Sequence, residues 1–333
     1  MTASSGSTDP APFVSVVVET ITAREHADED RLVDDLAPGL AAIDRQHYPR
    51  DRFEVIVALD EDSRRHQAEL ERRCPFVTVT FSPKRNYFAA KNAGARQARG
   101  ELVALVDGDC VPDADWLETL TGAMAPGVDV VAGRTRYAGR SASARTFSVP
   151  DFGNVMHAEG GSASGFNVNN VLFRREVLLA NPLDARVRRN GGCYFLYHRL
   201  RKLGIRIVYE PRAAVTHGLD VGGLGFVRKH FDRGFDGTNV YRLDADNVLR
   251  GTPVFRRFGA AGLVAIVAHR VLVDWRRLVR ERRQFGIPVW SLPYYAGVMT
   301  LVRLIELCGG LTAIVSPHLI PETPARRRDS RAA

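Results

Sequence analysis

The stretch LVALVDGDCVPD, residues 102–113, sets three carboxylates directly behind five apolar residues. Asp107 and Asp109 stand two apart where an apolar strand would end, so both can face one ligand. Aspartates after a buried strand can also form no more than a solvated turn. An EF-hand loop starting at Asp107 would find Glu118 at its twelfth position, but Val111 occupies the fifth and Pro112 the sixth, where the loop needs glycine. That chemistry is excluded. A hard divalent cation such as Mg2+ or Mn2+ prefers carboxylate oxygen and shares its shell with phosphate oxygens. Asp107 and Asp109 therefore suit an ion bound to a nucleotide diphosphate, where it neutralises charge on a departing diphosphate.

Short β-branched runs bounded by turn residues surround this stretch. Residues 13–19 (FVSVVVE), 54–59 (EVIVAL), 76–81 (FVTVTF), 101–106 (ELVALV) and 129–133 (DVVAG) read as strands. Helical spacing fills the gaps over 30–46, which Pro38 and Gly39 interrupt, and over 62–73, 89–99 and 113–124. Further on, a helix is expected at 193–203 and a strand in IRIVYEP. Such alternation implies a mostly parallel sheet with right-handed crossovers and helices on both faces. Near-continuous apolar strands agree, since parallel strands are buried on both sides. Ligands of open sheets bind beyond the carboxyl ends of the strands, and the acidic stretch sits at such an end.

The 333 residues allow one large α/β domain of roughly 200–250 residues plus an appendage. Basic residues outnumber acidic ones, 46 to 38, and with only Lys84, Lys91, Lys202 and Lys229 as lysines the excess is arginine. Anionic partners are favoured: nucleotide, phospholipid or nucleic acid. No helix-turn-helix, RRM or zinc module is recognisable, which sets nucleic acid aside. Cys74, Cys110, Cys193 and Cys308 lie far apart without a CxxC pair, so neither a zinc site nor a disulfide framework is expected. The opening MTASSGSTDPAP lacks the basic and apolar segments of a secretory signal.

Near the other end, residues 259–275 stay apolar for about 15 residues, short of the roughly 20 that span a bilayer. Arg276, Arg277, Arg280, Arg282 and Arg283 follow. A second run over 286–319 is broken by Pro288, Pro293, Arg303, Glu306 and the pair Gly309–Gly310. Both runs read as membrane-surface or re-entrant helices whose arginines meet anionic lipid, or as a helical layer packed on the main domain.

Five segments in order resemble the family 2 glycosyltransferases, which have the GT-A fold. They are FVSVVVET, EVIVALDEDS, NYFAAKNAGARQARGELVALVDGDCVPDADWLETL, NNVLFRREVL and KLGIRIVYEPRAAVTHG, spanning residues 13–217. The resemblance implies a nucleotide-sugar donor, read here as a UDP-sugar. It places Glu19 and Thr20 beside base and ribose, although the family usually has Pro-Thr there. Asp60 would accept from the base, as from N3–H of uracil, and Lys91 would lie near base or phosphate in a slot often filled by arginine. Asn92 and Gly94 would shape the turn of that helix. Asp107 would face the ribose, Asp109 would hold Mg2+ or Mn2+, and His217 would approach the metal or the phosphate. The implied metal set is thus Asp107, Asp109 and His217. A haloacid-dehalogenase phosphatase also carries DxDx(T/V) after a strand, and LVALVDGDCV matches it literally. That motif, however, opens its fold, and no later paired-Asp motif follows an apolar strand here.

The acceptor half departs from the pattern. An inverting transferase needs a base for the acceptor hydroxyl, ordinarily a carboxylate, and the family places it in a GED-like triplet before a helix. Here YFLYHRLRKLG has that helix, with Leu196, Arg199 and Leu200 in register, but the triplet reads Gly191–Gly192–Cys193. Cys193 stands in the place of the aspartate. Asp151, Glu159 or Asp220 could serve as base instead, the acceptor oxygen could already be anionic, or the chain could bind a nucleotide sugar without transferring it. The expected architecture is α/β: a GT-A domain over 13–235, Rossmann-like, with a mostly parallel central sheet and flanking helices. A disordered N-terminus (1–12), a C-terminal helical region (236–320) and a disordered basic tail (321–333) complete it. The expected activity is metal-dependent, inverting transfer to a lipid-linked or envelope-glycan acceptor. Its expected place is the cytoplasm, peripheral on the inner face of the cell membrane.

Overall fold

The computed structural model describes residues 11–26, 29–137, 163–217, 223–283 and 286–317. The chain opens with β1 (Val14–Glu19), α1 (Ile21–His26) and α2 (Leu32–Asp44), followed by β2 (Phe53–Asp60), α3 (Gln67–Arg73) and β3 (Val77–Ser82). Next come α4 (Tyr87–Gln97), β4 (Leu102–Asp107), the short β5 (Cys110–Pro112), α5 (Trp116–Gly122) and β6 (Val130–Tyr137). Then β7 (Asn170–Arg174), α6 (Arg175–Ala180), α7 (Gly192–Lys202) and β8 (Ile207–His217) complete the α/β part. Three long helices follow: α8 (Gly223–Leu243), α9 (Thr252–Glu281) and α10 (Leu292–Val315).

The strands form one eight-stranded sheet in the order β3-β2-β1-β4-β7-β6-β8-β5. Its first four strands are parallel, β7 runs against both β4 and β6, β6 and β8 are parallel, and β5 runs against β8. The expected α/β sheet is present, mixed in its second half. Alternation along β1 shows how it is sandwiched, because successive side chains of a strand point to opposite faces. Val14, Val16 and Val18 join the core with Leu36 and Leu40 of α2 and Trp116 of α5. Val17 joins the other core, with Phe88 of α4, Leu196 and Leu200 of α7, and Val240 of α8.

Local deviations from the sequence reading have identifiable causes. α2 runs unbroken through Pro38. Proline inside a helix costs about 3 kcal/mol, and the buried stripe Leu32, Leu36, Leu40 and Ile43 offsets it. The helix expected at 62–73 divides into a 3-10 turn (Glu61–His66) and α3, because Asp60 caps the turn by accepting from Ser63 N at 2.9 Å. The helix expected at 89 begins two residues earlier, at Tyr87, where the Asn86 side chain accepts from Phe88 N at 3.0 Å and Ala89 N at 2.9 Å.

The C-terminal helices are fastened to each other. α8 is continuous through residues 235 and 236, where the domain boundary was expected. Gly234 lies against the Glu306 carbonyl and Gly309 against the Phe231 carbonyl, so α8 and α10 meet backbone to backbone, closer than any Cβ would allow. α9 turns sharply at Gly259 (φ 54°, ψ −123°), a conformation suited to glycine. Helix Thr252–Arg280 (29 residues) and helix Val289–Val315 (27 residues) are long and apolar enough to cross a membrane, by length and composition alone. The first exceeds the apolar run counted from sequence because the helix begins before Gly259, at Thr252, and continues into the arginine-rich segment. Of the most apolar stretch of each, 22% and 33% is buried.

Candidate active site

Parallel strands that end on one edge deliver their last residues side by side. Glu19 of β1 pairs in register with Ala58 on one side and Asp107 on the other, and Asp60 closes β2 two residues beyond Ala58. At Gly108 a Cβ would stand 2.6 Å from Leu36 Cδ2 and 2.7 Å from the Glu19 carbonyl oxygen, so only glycine fits the turn after Asp107. The chain then enters β5, which pairs with the end of β8 and sets Cys110 opposite His217. Asp109 Oδ2 thereby comes within 3.6 Å of His217 Nε2.

Asp107 is turned inward. Its Oδ1 accepts from Lys91 Nζ at 2.6 Å and from the Tyr87 hydroxyl at 2.8 Å, and its Oδ2 lies 3.1 Å from the same hydroxyl. Tyr87 and Lys91 are one turn apart on α4 and so share a face. Lys91 is fully buried and donates also to the Val106 carbonyl at 3.2 Å. It is a counter-ion beneath the strand ends and does not present its ammonium to solvent. The hydrogen bonds that the pair also makes, with the Tyr87 hydroxyl and the Val106 carbonyl, help to offset its desolvation.

The other nucleotide-side residues are placed as follows. Glu19 caps α1, accepting from Ile21 N at 2.8 Å, Thr22 N at 3.3 Å and the Thr22 hydroxyl at 2.5 Å. Thr20 is buried and donates to the Ala58 carbonyl at 3.0 Å. Asp60 is 1% exposed at the end of β2. Asn92 clasps the backbone of Leu183, donating to its carbonyl at 2.8 Å and accepting from its N–H at 3.0 Å. The structure thus gathers Glu19, Asp60, Asp107, Asp109 and His217 along one edge, with Lys91 below and Asn92 in the scaffold.

Burial sets the electrostatics. Desolvation first, and the neighbouring Asp107 second, raise the carboxyls of Glu19 and Asp109 to about 7. Desolvation lowers His217 to about 4, leaving a neutral imidazole at physiological pH. From α8, Lys229 is lowered to about 7 by burial and by the nearby Arg189. The Arg189 guanidinium carbon lies 5.6 Å from the centre of the Tyr87 ring. Its loop is tied down on both sides: the Asn86 side chain donates to the Val187 and Arg188 carbonyls at 3.1 and 3.2 Å. Arg188 Nε and Asn190 Nδ2 donate to Asp236 of α8 at 3.0 and 2.7 Å.

Tyr87, Arg189 and Lys229 did not stand out from the sequence. Tyr87 could have been found from its four-residue spacing to Lys91. Arg189 is masked by the general arginine excess, whereas Lys229 had a signal in being one of so few lysines. On the acceptor side, Gly191 adopts φ +86° and Gly192 lies against the Phe88 ring, so both glycines have steric reasons. Burial pushes the Cys193 thiol up to about 11, which keeps it protonated at neutral pH and a poor base. Asp151, Glu159 and Asp220 lie outside the described residues.

A divalent cation fits this edge. Asp109 Oδ2 is buried and has no hydrogen-bond partner among the described residues. It lies 3.6 Å from His217 Nε2, and a carboxylate oxygen beside an imidazole nitrogen in a dry place is a pair that a cation can satisfy. The ligand atoms of Asp109, Cys110 and His217 all lie within 4.8 Å of one another.

The sheet order, the acidic strand edge and the helical C-terminal region define a GT-A fold. The mannosyltransferase PcManGT from Pyrobaculum calidifontis, solved in complex with GDP-Man and Mn2+, shares it. The two match with a TM-score of 0.63 over 93% of this chain and 88% of that one, at 18% identity. Residues 31–179 match the family model Glycosyl transferase family 2. Glycosyltransferase AglE of Haloferax volcanii is 29% identical over 185 residues, covering 51% of this chain and 55% of AglE. The match therefore spans about half the length of that relative.

Proposed function

We propose that this protein is a metal-dependent, inverting glycosyltransferase that moves a sugar from a nucleotide-diphosphate sugar to a lipid-linked or envelope-glycan acceptor. The observation that carries the reading is the convergence of Asp60, Glu19, Asp107, Asp109 and His217 on one strand edge of a domain that matches the family 2 model. A carboxylate at Asp60 accepts from a base with a ring N–H, which uracil and guanine both have. The sequence reading favours a UDP-sugar, and the GDP-Man of the solved relative places a guanine donor in the same test. Arg189 beside Glu19 and Lys229 beside Asp109 suit diphosphate oxygens, and a bound anion would favour the charged form of the buried Lys229. Held by Asp109 and His217, a divalent cation supplies Lewis-acid neutralisation of the departing diphosphate. Cys193 does not take the acceptor proton in this reading; Asp151 or another carboxylate does, or the acceptor oxygen is already anionic.

The test is a thermal-shift panel of UDP-, GDP-, dTDP- and CDP-sugars with and without Mn2+. A UDP-sugar at 100-fold excess over its Kd should stabilise the chain by about 2.7 kcal/mol, and only with the metal present. Silence towards all four donors, with hydrolysis of a phosphomonoester, would transfer the acidic stretch to phosphatase chemistry. Binding without transfer to any lipid-linked acceptor would support a nucleotide-sugar-binding protein.

The location belongs to the same proposal. α9 and α10 turn Leu272, Trp275, Val279, Leu301 and Leu304 outward, and Trp290, in the 3-10 turn (Val289–Ser291) that leads into α10, is 82% exposed. Exposed arginines, Arg276 and Arg280 among them, follow this apolar face. Aromatic and aliphatic side chains beside arginines suit the headgroup region of an anionic bilayer. The full chain should float with vesicles containing phosphatidylglycerol and do so less with neutral ones. Equal absence from both fractions would dismiss membrane contact.

A further inference from the structure

The strand edge has a third donor that hard-ion chemistry leaves unused. β5 and β8 pair Cys110 with His217, and cross-strand partners project to the same side of a ribbon. Asp109 directly precedes Cys110, whose Sγ lies 3.8 Å from Asp109 Oδ1. The donor set is therefore one oxygen, one sulfur and one imidazole nitrogen, all mutually within 4.8 Å. Mg2+ and Mn2+ make little use of sulfur, whereas Zn2+ and Cd2+ bind thiolate, imidazole and carboxylate together. Sequence spacing concealed the set, because His217 reaches Cys110 only through strand pairing.

We propose that Asp109, Cys110 and His217 form a thiophilic divalent-cation site, at which Zn2+ or Cd2+ displaces the hard ion and blocks metal-dependent donor binding. The proposal rests on reading Asp109 and His217 as cation ligands. On binding, the Cys110 S–H bond breaks, a sulfur–metal bond forms, and the proton leaves to solvent. The competing use of Cys110 is packing, since it also belongs to the core with Leu36 and Trp116. Only the metal site predicts a spectroscopic signature.

The experiment is a Co2+ titration of the full chain without nucleotide. The expected result is a thiolate-to-cobalt charge-transfer band in the near ultraviolet that Zn2+ and Cd2+ abolish. Cys110→Ser should lose the band, while Cys74→Ser and Cys193→Ser keep it. Zn2+ affinity in Cys110→Ser should fall by no less than the ~10–100-fold that a residue merely supporting a ligand costs, with Mn2+ affinity unchanged. Bound Co2+ showing only ligand-field bands, or a band that persists in Cys110→Ser, overturns the thiol ligand and leaves the hard-ion reading standing. No Co2+ binding at all overturns both. Should Cys110→Ser fold poorly, the wild-type band and its loss on adding Cd2+ decide the matter.

Discussion

Replacing Asp109 by asparagine is expected to raise the melting temperature of the metal-free protein at pH 8 and to abolish any further rise on adding Mn2+ with donor. Both effects come from one dry carboxylate. Its side chain is 13% exposed, and its Oδ2 has no hydrogen-bond partner among the described residues. Burial and Asp107 raise its carboxyl from 3.8 to about 7, and Glu19 is raised likewise from 4.5. Between about pH 4 and 7 the unfolded chain has lost these protons and the folded chain still holds them. Folding then takes up protons, so the contribution of these two carboxyls to stability is greatest below pH 4, falls as pH rises to about 7, and stays low above it. Holding one carboxyl at about 7 corresponds to at most ~4 kcal/mol. Relaxation and sharing with Asp107 reduce this to about 1–2 kcal/mol, or roughly 2–8 °C.

Asparagine removes the charge and with it this part of the pH dependence. A cation does the same in the wild type by replacing the proton, so Mn2+ should stabilise the wild type far more at pH 8 than at pH 5. Melting curves of both proteins at the two pH values, with and without Mn2+, check it. A variant that melts below the wild type at pH 8 without metal would show that the buried charge is not strained. A variant that keeps its Mn2+-dependent rise would falsify the cation site itself.

What could be read in advance follows from the length scale of each signal. β1, β2 and β4 are runs of six to eight residues, all buried except Glu54, and their β-branched composition marks them within a residue or two. A candidate site at their carboxyl ends follows from the layout of open sheets, and Asp60, Asp107 and Asp109 were expected at that edge by position. β5 is different. Its three residues are too few to show any period, and it exists through pairing with β8, yet it brings Asp109, Cys110 and His217 together. Strand direction was hidden too, because hydrophobic pattern reports burial and not polarity; the antiparallel β7 reads the same either way. Lys91 was legible as a residue of importance but not in its role, which depends on Tyr87 and Asp107 enclosing it from two elements.

The helical region offers the second large effect. Arg303 of α10 donates through Nε to Asp274 of α9 at 2.7 Å and through Nη1 to Glu306 at 2.6 Å, while Glu306 Oε1 lies 3.3 Å from His230 Nδ1 of α8. One guanidinium therefore joins acids from two helices, and the second acid reaches a third helix. Arg303→Ala leaves Asp274 and Glu306 buried without their cation, which should cost about 3–5 kcal/mol. The nearby apolar cluster of Leu278, Ile287, Tyr295 and Met299 is small and separate from the sheet cores, so it cannot absorb that loss. The expected failure is opening of the α9–α10 tip and not unfolding of the sheet. Trypsin cleavage within residues 276–283 should accelerate at least ~100-fold, with Mn2+-dependent donor binding retained. Removing the charges together, as Arg303→Met with Asp274→Asn and Glu306→Gln, should recover most of the stability, since the penalty lies in the stranded acids. Equal damage in the single and triple variants would mean that Arg303 acts by its bulk. Loss of donor binding alongside the cleavage would mean that the helices and the strand edge open as one unit.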